Sequence, residues 1–204
     1  MVLGVVCRSV AHETASTKTK TITTDSLPAR PAHYDHPQVY CWVFSSDGKL
    51  LLQRRSEKKK IGSLQWDLSL AEHLTPGESF REAVVRGLRE ELGLSLEDIV
   101  GEGNGECSGA GAGLVAKNDV HRRELHGVDS LGNEFHDVEL VQSFFCRSTL
   151  DAETLAGMVS FDDGEVSEVV FIRPEALAGS FERDPEGYTA WLRAESACVG
   201  LVGG

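Results

Sequence analysis

The chain has 204 residues, an apolar share of 41% and a net charge of −12. That length and apolar content suit one domain with extensions and a real core, while the charge argues against generic binding to nucleic acid or an anionic membrane surface. No apolar run approaches a membrane span, and the five cysteines, Cys7, Cys41, Cys107, Cys146 and Cys198, are scattered, lack CxxC spacing and read as free thiols of a reducing, cytoplasmic setting.

Residues 1–34 have no amphipathic period and little to bury, and are expected as a flexible extension. Their Ser/Thr content leaves organelle targeting open, against which stand Glu13, Asp25 and the lack of an arginine-rich amphipathic pattern. A folded domain is expected over 35–196, followed by a tail over 197–204. VYCWVF reads as a strand, SDGK as a hairpin turn and LLLQRR as a second strand. Arg54, Arg55, Lys58, Lys59 and Lys60 follow as a basic patch in an acidic chain. Such a run is ordinarily solvated surface, but placed here it is suited to neutralising a diphosphate.

LQWDLSLAEHL is expected as one strand, with Trp66 in the core. It leads into the stretch that organises the chain, Ala71 to Leu94. Pro76 and Gly77 form a loop. Ala83, Val84, Leu88 and Leu92 then recur at helical spacing, and Gly93 stops the helix. Glu90 and Glu91 put two carboxylates side by side, an arrangement that favours a divalent cation between them. Beyond the helix, GEGNGECSGAGAG reads as a disordered insertion rather than a phosphate cradle. LVAKNDVHRREL and NEFHDVELVQSFFCRS alternate as strands with SLGN as their turn. EVSEVVFIRPEAL gives a further strand with a helix start at Pro174, and DPEGYTAWLRAES a terminal helix.

Glu78, Arg86, Leu88, Glu90, Glu91, Gly93 and Leu94 stand at the spacing G-x5-E-x7-R-E-U-x-E-E-x-G-U, where U is a bulky aliphatic residue, and so resemble the Nudix box. Two positions depart from it: Glu72 stands at the first glycine and Gly87 at the glutamate after the arginine. The second departure removes a carboxylate that commonly joins the metal ligands of family hydrolases. The resemblance implies an α/β/α sandwich with a mixed sheet, over about residues 36 to 195.

HPQVYCWVFSSDGKLLLQRRSEKKK, together with His73 five residues before Glu78, is similar to the branch that holds type 1 isopentenyl-diphosphate isomerases and related hydrolases. On that comparison Glu91 is a metal carboxylate, Asp137 and Glu139 of HDVEL take metal or acid–base roles, and His36 matches a further metal histidine. The isomerases need a cysteine where this chain has Ala71. The resemblance therefore implies a Mg2+-dependent hydrolase, with Mn2+ as an alternative ion, acting on a small-molecule nucleoside or isoprenoid diphosphate. Glu78, Glu90, Glu91, His73 and Asp137 are the expected metal ligands, Glu91, Glu139 and Arg86 the catalytic residues, and Arg55 and Lys59 the phosphate grip. An isomerase-like enzyme and a catalytically impaired binding or scaffold protein stay open as alternatives, and the oligomeric state is not fixed by the sequence.

Overall fold

The computed structural model describes residues 5–9, 36–101, 112–129, 131–161 and 164–203. Its centre is β2 (His36–Phe44), whose residues from Gln38 onward are all buried, as expected of a strand covered on both faces. β2 runs parallel to β8 (Glu134–Arg147), in register from His36 opposite Glu139 to Phe44 opposite Arg147. β8 also pairs antiparallel with β6 (Gly113–Ala116) and β7 (His121–Val128). The outer edge of β7 is closed by β1 (Val5–Ser9), so this part of the expected flexible extension belongs to the sheet. An uncovered β7 would leave a row of unpaired backbone groups.

On its other side β2 serves two strands. β3 (Leu50–Arg55) meets it in register only at Phe44 and Leu50, and β5 (Leu70–His73) pairs with it from Gln38 to Cys41. The sheet forks between β3 and β5. Ser69 stitches the fork near its root, accepting from the Val43 amide at 2.9 Å and donating to the Leu51 carbonyl at 2.6 Å. β4 (Trp66–Asp67) and β9 (Val166–Ile172) pair with β3 and complete, among the described residues, a nine-stranded mixed sheet. The single strand expected across LQWDLSLAEHL is thus divided into β4 and β5, each serving a different neighbour.

One face of the sheet is covered by α1 (Phe80–Leu92), α2 (Leu96–Val100) and α3 (Ala152–Met158), which bury Phe80, Leu88, Leu92, Ile99 and Leu155 against Val39, Cys41 and Leu51. The opposite face is covered by α4 (Leu177–Arg183) and α5 (Ala190–Cys198), which pack Leu177, Trp191 and Leu192 against Tyr40, Trp42 and Leu52. Two helical layers on one sheet make the expected α/β/α sandwich. The short helices α2 and α3 went unread in the sequence, although each starts at a side-chain cap, Ser95 and Asp151. The boundary expected at 196 falls inside α5, and Val199 beyond it is buried. Residues 102–111, the bulk of the glycine-rich insertion, lie outside the described residues.

α5 is anchored to the sheet by a buried polar knot. Glu195 pairs with Arg123 of β7, and both side chains are fully buried. The same carboxylate accepts from Ser143 and, at 3.1 Å, from Asn118, and lies 3.2 Å from His121 Nε2. Removing it strands a buried guanidinium without its counter-charge. Glu195→Ala is expected to lower stability by about 3–5 kcal/mol, read as a shift of the urea midpoint with an unchanged slope; a shift below about 1 kcal/mol would show that the knot is replaceable.

Candidate active site

α1 begins at a capping box, in which the Ser79 hydroxyl accepts from the Glu82 amide and the Glu82 carboxylate accepts from the Ser79 amide. It ends at Gly93, held at a φ of 65° that favours glycine. Between those stops, Arg86 ties the helix to its surroundings. Nε donates to Glu78 Oε1 at 2.9 Å, and Nη2 donates to Glu78 Oε2 at 3.0 Å and to the His73 carbonyl at 2.8 Å. Nη1 reaches Glu90 at 3.0 Å and Glu72 at 3.3 Å. Glu78 also accepts from the Thr75 amide and hydroxyl, so both of its oxygens are engaged. Hydrogen bonds from Arg86 hold its carboxyl below the usual range.

Strand alternation on β5 sends successive side chains to opposite faces. Glu72 and Leu70 face α1, where Glu72 meets Arg86; Ala71 packs in the cluster on the far side. The fork between β3 and β5 opens a small polar cleft lined by Gln53, Arg55, Lys59, Ala71, Glu91 and Glu165. Expected phosphate and metal residues therefore meet there. Burial pushes the Glu91 carboxyl up to about 8, the like charge of Glu72 adds to the push, and a hydrogen bond from Gln53 and the charge of Lys59 oppose it. Arg55 is held by Asp67 at 3.0 Å and by the Ile61 carbonyl at 3.1 Å, and its guanidinium lies 5.1 Å from the Trp191 ring centre. Asp67 in turn accepts from Trp191 Nε1 at 2.7 Å and Thr189 Oγ1 at 3.0 Å. Lys59 pairs with Glu165.

Glu72, Glu78, Glu90 and Glu91 offer only carboxylate oxygens, a donor set that fits a hard cation such as Mg2+ or Mn2+ rather than a soft one. A carboxyl raised chiefly by burial, and further by a like-charged neighbour, is what a bound cation would relieve.

The remaining expected residues form a neighbouring group. The His36 and His73 rings stand edge to face with centroids 5.9 Å apart, and burial together with His36 lowers the basicity of His73 while Asp137 opposes this. Glu139 accepts from the Tyr40 hydroxyl at 2.9 Å, and the Gln38 amide nitrogen, in the orientation that satisfies both groups, donates to it at 2.6 Å. Burial pushes the Glu139 carboxyl up to about 7; Arg123 and the Tyr40 hydrogen bond pull it down, and Asp137 and Asp67 push it up. Asp67 links the two groups, bonding Arg55 in one and acting on Glu139 in the other.

Gln53, Glu165, Gln38 and Tyr40 carry no motif, and sequence reading passed over them. Their roles arise from pairings across the sheet. The same holds for Glu124, His126 and His136 on the β7–β8 pair, whose ligand atoms lie within 4.8 Å of one another, with the two histidines exposed and their imidazoles stacked at 4.0 Å.

Comparison with known proteins gives the family. Residues 35–192 match the profile of the NUDIX domain. An isopentenyl-diphosphate Delta-isomerase of Paenarthrobacter aurescens is 26% identical over 157 residues, covering 77% of this chain and 71% of that protein. The isomerase of Salmonella arizonae is 41% identical over 64 residues, which span 31% of this chain and 35% of the relative's length. Among solved structures, the Deinococcus radiodurans protein DR0079 superposes with a TM-score of 0.50 at 19% identity, covering 77% of this chain and 80% of that one, a likeness of fold. With the profile running from the start of β2 into α5, the chain belongs to the NUDIX domain family.

Proposed function

We propose that the protein hydrolyses a diphosphate linkage in a small molecule, with Mg2+ as its ion and Mn2+ as a substitute. The observation that carries the reading is the cleft at the fork, where a buried carboxylate, Glu91, shares a wall with Arg55 and Lys59. Glu90 and Glu91 are the residues that hold the ion, and Glu78 keeps Arg86 oriented so that Arg86 in turn fixes Glu90. Bound there, the ion supplies charge neutralisation at the phosphate oxygens and activation of the attacking water. Arg55, pre-aligned by Asp67, grips the far phosphate, and Lys59 exchanges its Glu165 partner for it. Glu139 takes the proton of the attacking water, a task its raised carboxyl suits near neutral pH. His73 and Asp137, beside it, are further ligands.

The names of the relatives favour isomerisation as a second reading. That chemistry needs a proton donor at position 71, and the Ala71 methyl has none. Cys41 and Cys146 are buried in the core, with burial raising both thiols, so neither offers a replacement.

Phosphate release should be measured with and without Mg2+ across nucleoside, sugar, dinucleotide and isoprenoid diphosphates. Mg2+-dependent release is expected for one class, falling about 100-fold or more in Glu91→Gln. Unchanged release in that variant removes Glu91 from the site. Conversion of isopentenyl to dimethylallyl diphosphate would establish the isomerase instead, and ligand binding with no turnover would establish a scaffold.

The same carboxyls give a pH signature. Glu91 and Glu139 have folded values of about 8 and about 7, above the usual 4.5, so the folded state keeps protons that the unfolded chain has released. Their contribution to stability is present in full below the ordinary value and is lost as pH rises through the folded values. In metal-free buffer the melting temperature should therefore fall as pH rises from about 4.5 to about 8 and level off above that, and Mg2+ should restore part of the loss at the upper end. A flat or rising profile would show that these carboxyls are not held protonated.

A further inference from the structure

The box pattern places a glycine at position 72 and a glutamate at position 87, and this chain has glutamate at 72 and glycine at 87. Read along the chain these are separate departures. In the fold they touch. A Cβ added to Gly87 would lie 3.2 Å from the Cβ of Glu72 and 3.0 Å from both Leu70 methyl carbons, closer than a side chain there is ordinarily tolerated. A side chain at 87 would press on both Leu70 and Glu72, and each would have to give by a few tenths of an ångström. One space between β5 and α1 thus admits a side chain from either wall.

Resting on the metal-dependent reading above, we propose that Glu72 supplies from β5 the metal-binding carboxylate that position 87 no longer supplies from α1. Its position meets what a ligand there requires. One Glu72 oxygen lies 3.3 Å from Arg86 Nη1, the nitrogen that also bonds Glu90 at 3.0 Å, so Glu72 and Glu90 share one partner nitrogen. The side chain is 20% exposed, open enough for an ion to enter and shielded enough to be held. With Glu72 counted, the carboxylates converging beside Arg86 come from two elements, β5 and α1, and the deficit left by Gly87 is filled. The glycine in the middle of α1, which costs the helix about 1 kcal/mol relative to alanine, leaves the Glu72 side chain uncrowded.

The test reads the ion directly. Free Mn2+ is followed by electron paramagnetic resonance in titrations of the wild-type protein, Glu72→Gln, Glu72→Gly, and the double exchange Glu72→Gly with Gly87→Glu, with far-UV circular dichroism to confirm that each folds. Glu72→Gln is expected to weaken Mn2+ binding at least about tenfold. The double exchange is expected to recover much of what Glu72→Gly alone loses, because removing the Glu72 side chain relieves one contact at 87 and the Leu70 methyl groups need give by only a few tenths of an ångström for the other. Mn2+ binding unchanged in Glu72→Gln overturns the proposal, as does a double exchange that binds no better than Glu72→Gly. A wild-type protein that binds no Mn2+ overturns both this and the metal-dependent reading beneath it, whereas one that binds Mn2+ in a Glu72-dependent way yet turns over no diphosphate sinks the hydrolase reading alone.

Discussion

One guanidinium organises the site. Arg86 donates to Glu78 on the loop, to the His73 carbonyl on β5 and to Glu90 one turn further along its own helix, and faces Glu72 as well. A planar fork with fixed donor directions can serve several acceptors at once only if they stand where its geometry requires. The bidentate pair with Glu78 therefore fixes the loop as well as the side chain. Lysine at this position would keep the charge and lose the alignment. The carboxylates around Arg86 are in turn held at a separation that one positive charge partly neutralises, and that leaves scope for a second.

The acidity of the chain has a local meaning in this light. The cations of the cleft are already engaged, Arg55 by Asp67 and Lys59 by Glu165. The two pairs differ in kind. Asp67 is fully buried and bound to Thr189 and Trp191, so Arg55 stays where it is put. Glu165 is half exposed, and exposed pairs are worth little. On the proposed function, Arg55 is a fixed seat for phosphate and Lys59 a movable one, and the acid-rich surroundings keep weakly bound anions out.

Much of the fold was legible because its signals are periodic and local. The burial of β2, the turn after it, the run of α1 from Ser79 to Gly93 and the β7–β8 pair follow from alternation, helical spacing and caps. The short helices α2 and α3 offer too few turns for a period to show. β1 was missed because its reason lies elsewhere, in the open edge of β7, which no local pattern in residues 5–9 discloses. The split of LQWDLSLAEHL was hidden likewise: β4 and β5 are continuous in sequence and part only because the sheet forks around them. At the site, Glu78, Arg86, Glu90 and Glu91 were readable from spacing. Gln53, Gln38, Tyr40 and Glu165 come from strands and loops distant in sequence, and only the sheet register brings them in. Glu72 and Gly87 were noticed as two faults of a pattern; their contact across β5 and α1 shows them as one arrangement.

Asp67 stands under the cleft with its carboxylate shared between Arg55 and the two donors of the last helical segment, Thr189 and Trp191. The end of the chain is thereby wired to the site as ballast is to a keel. α5 does not merely cover the sheet; through Asp67, 122 and 124 positions away from its two donors, it sets the angle at which a cation is presented. A change that shifts α5 therefore acts on a part that steadies Arg55, and the helical layer and the cleft respond together.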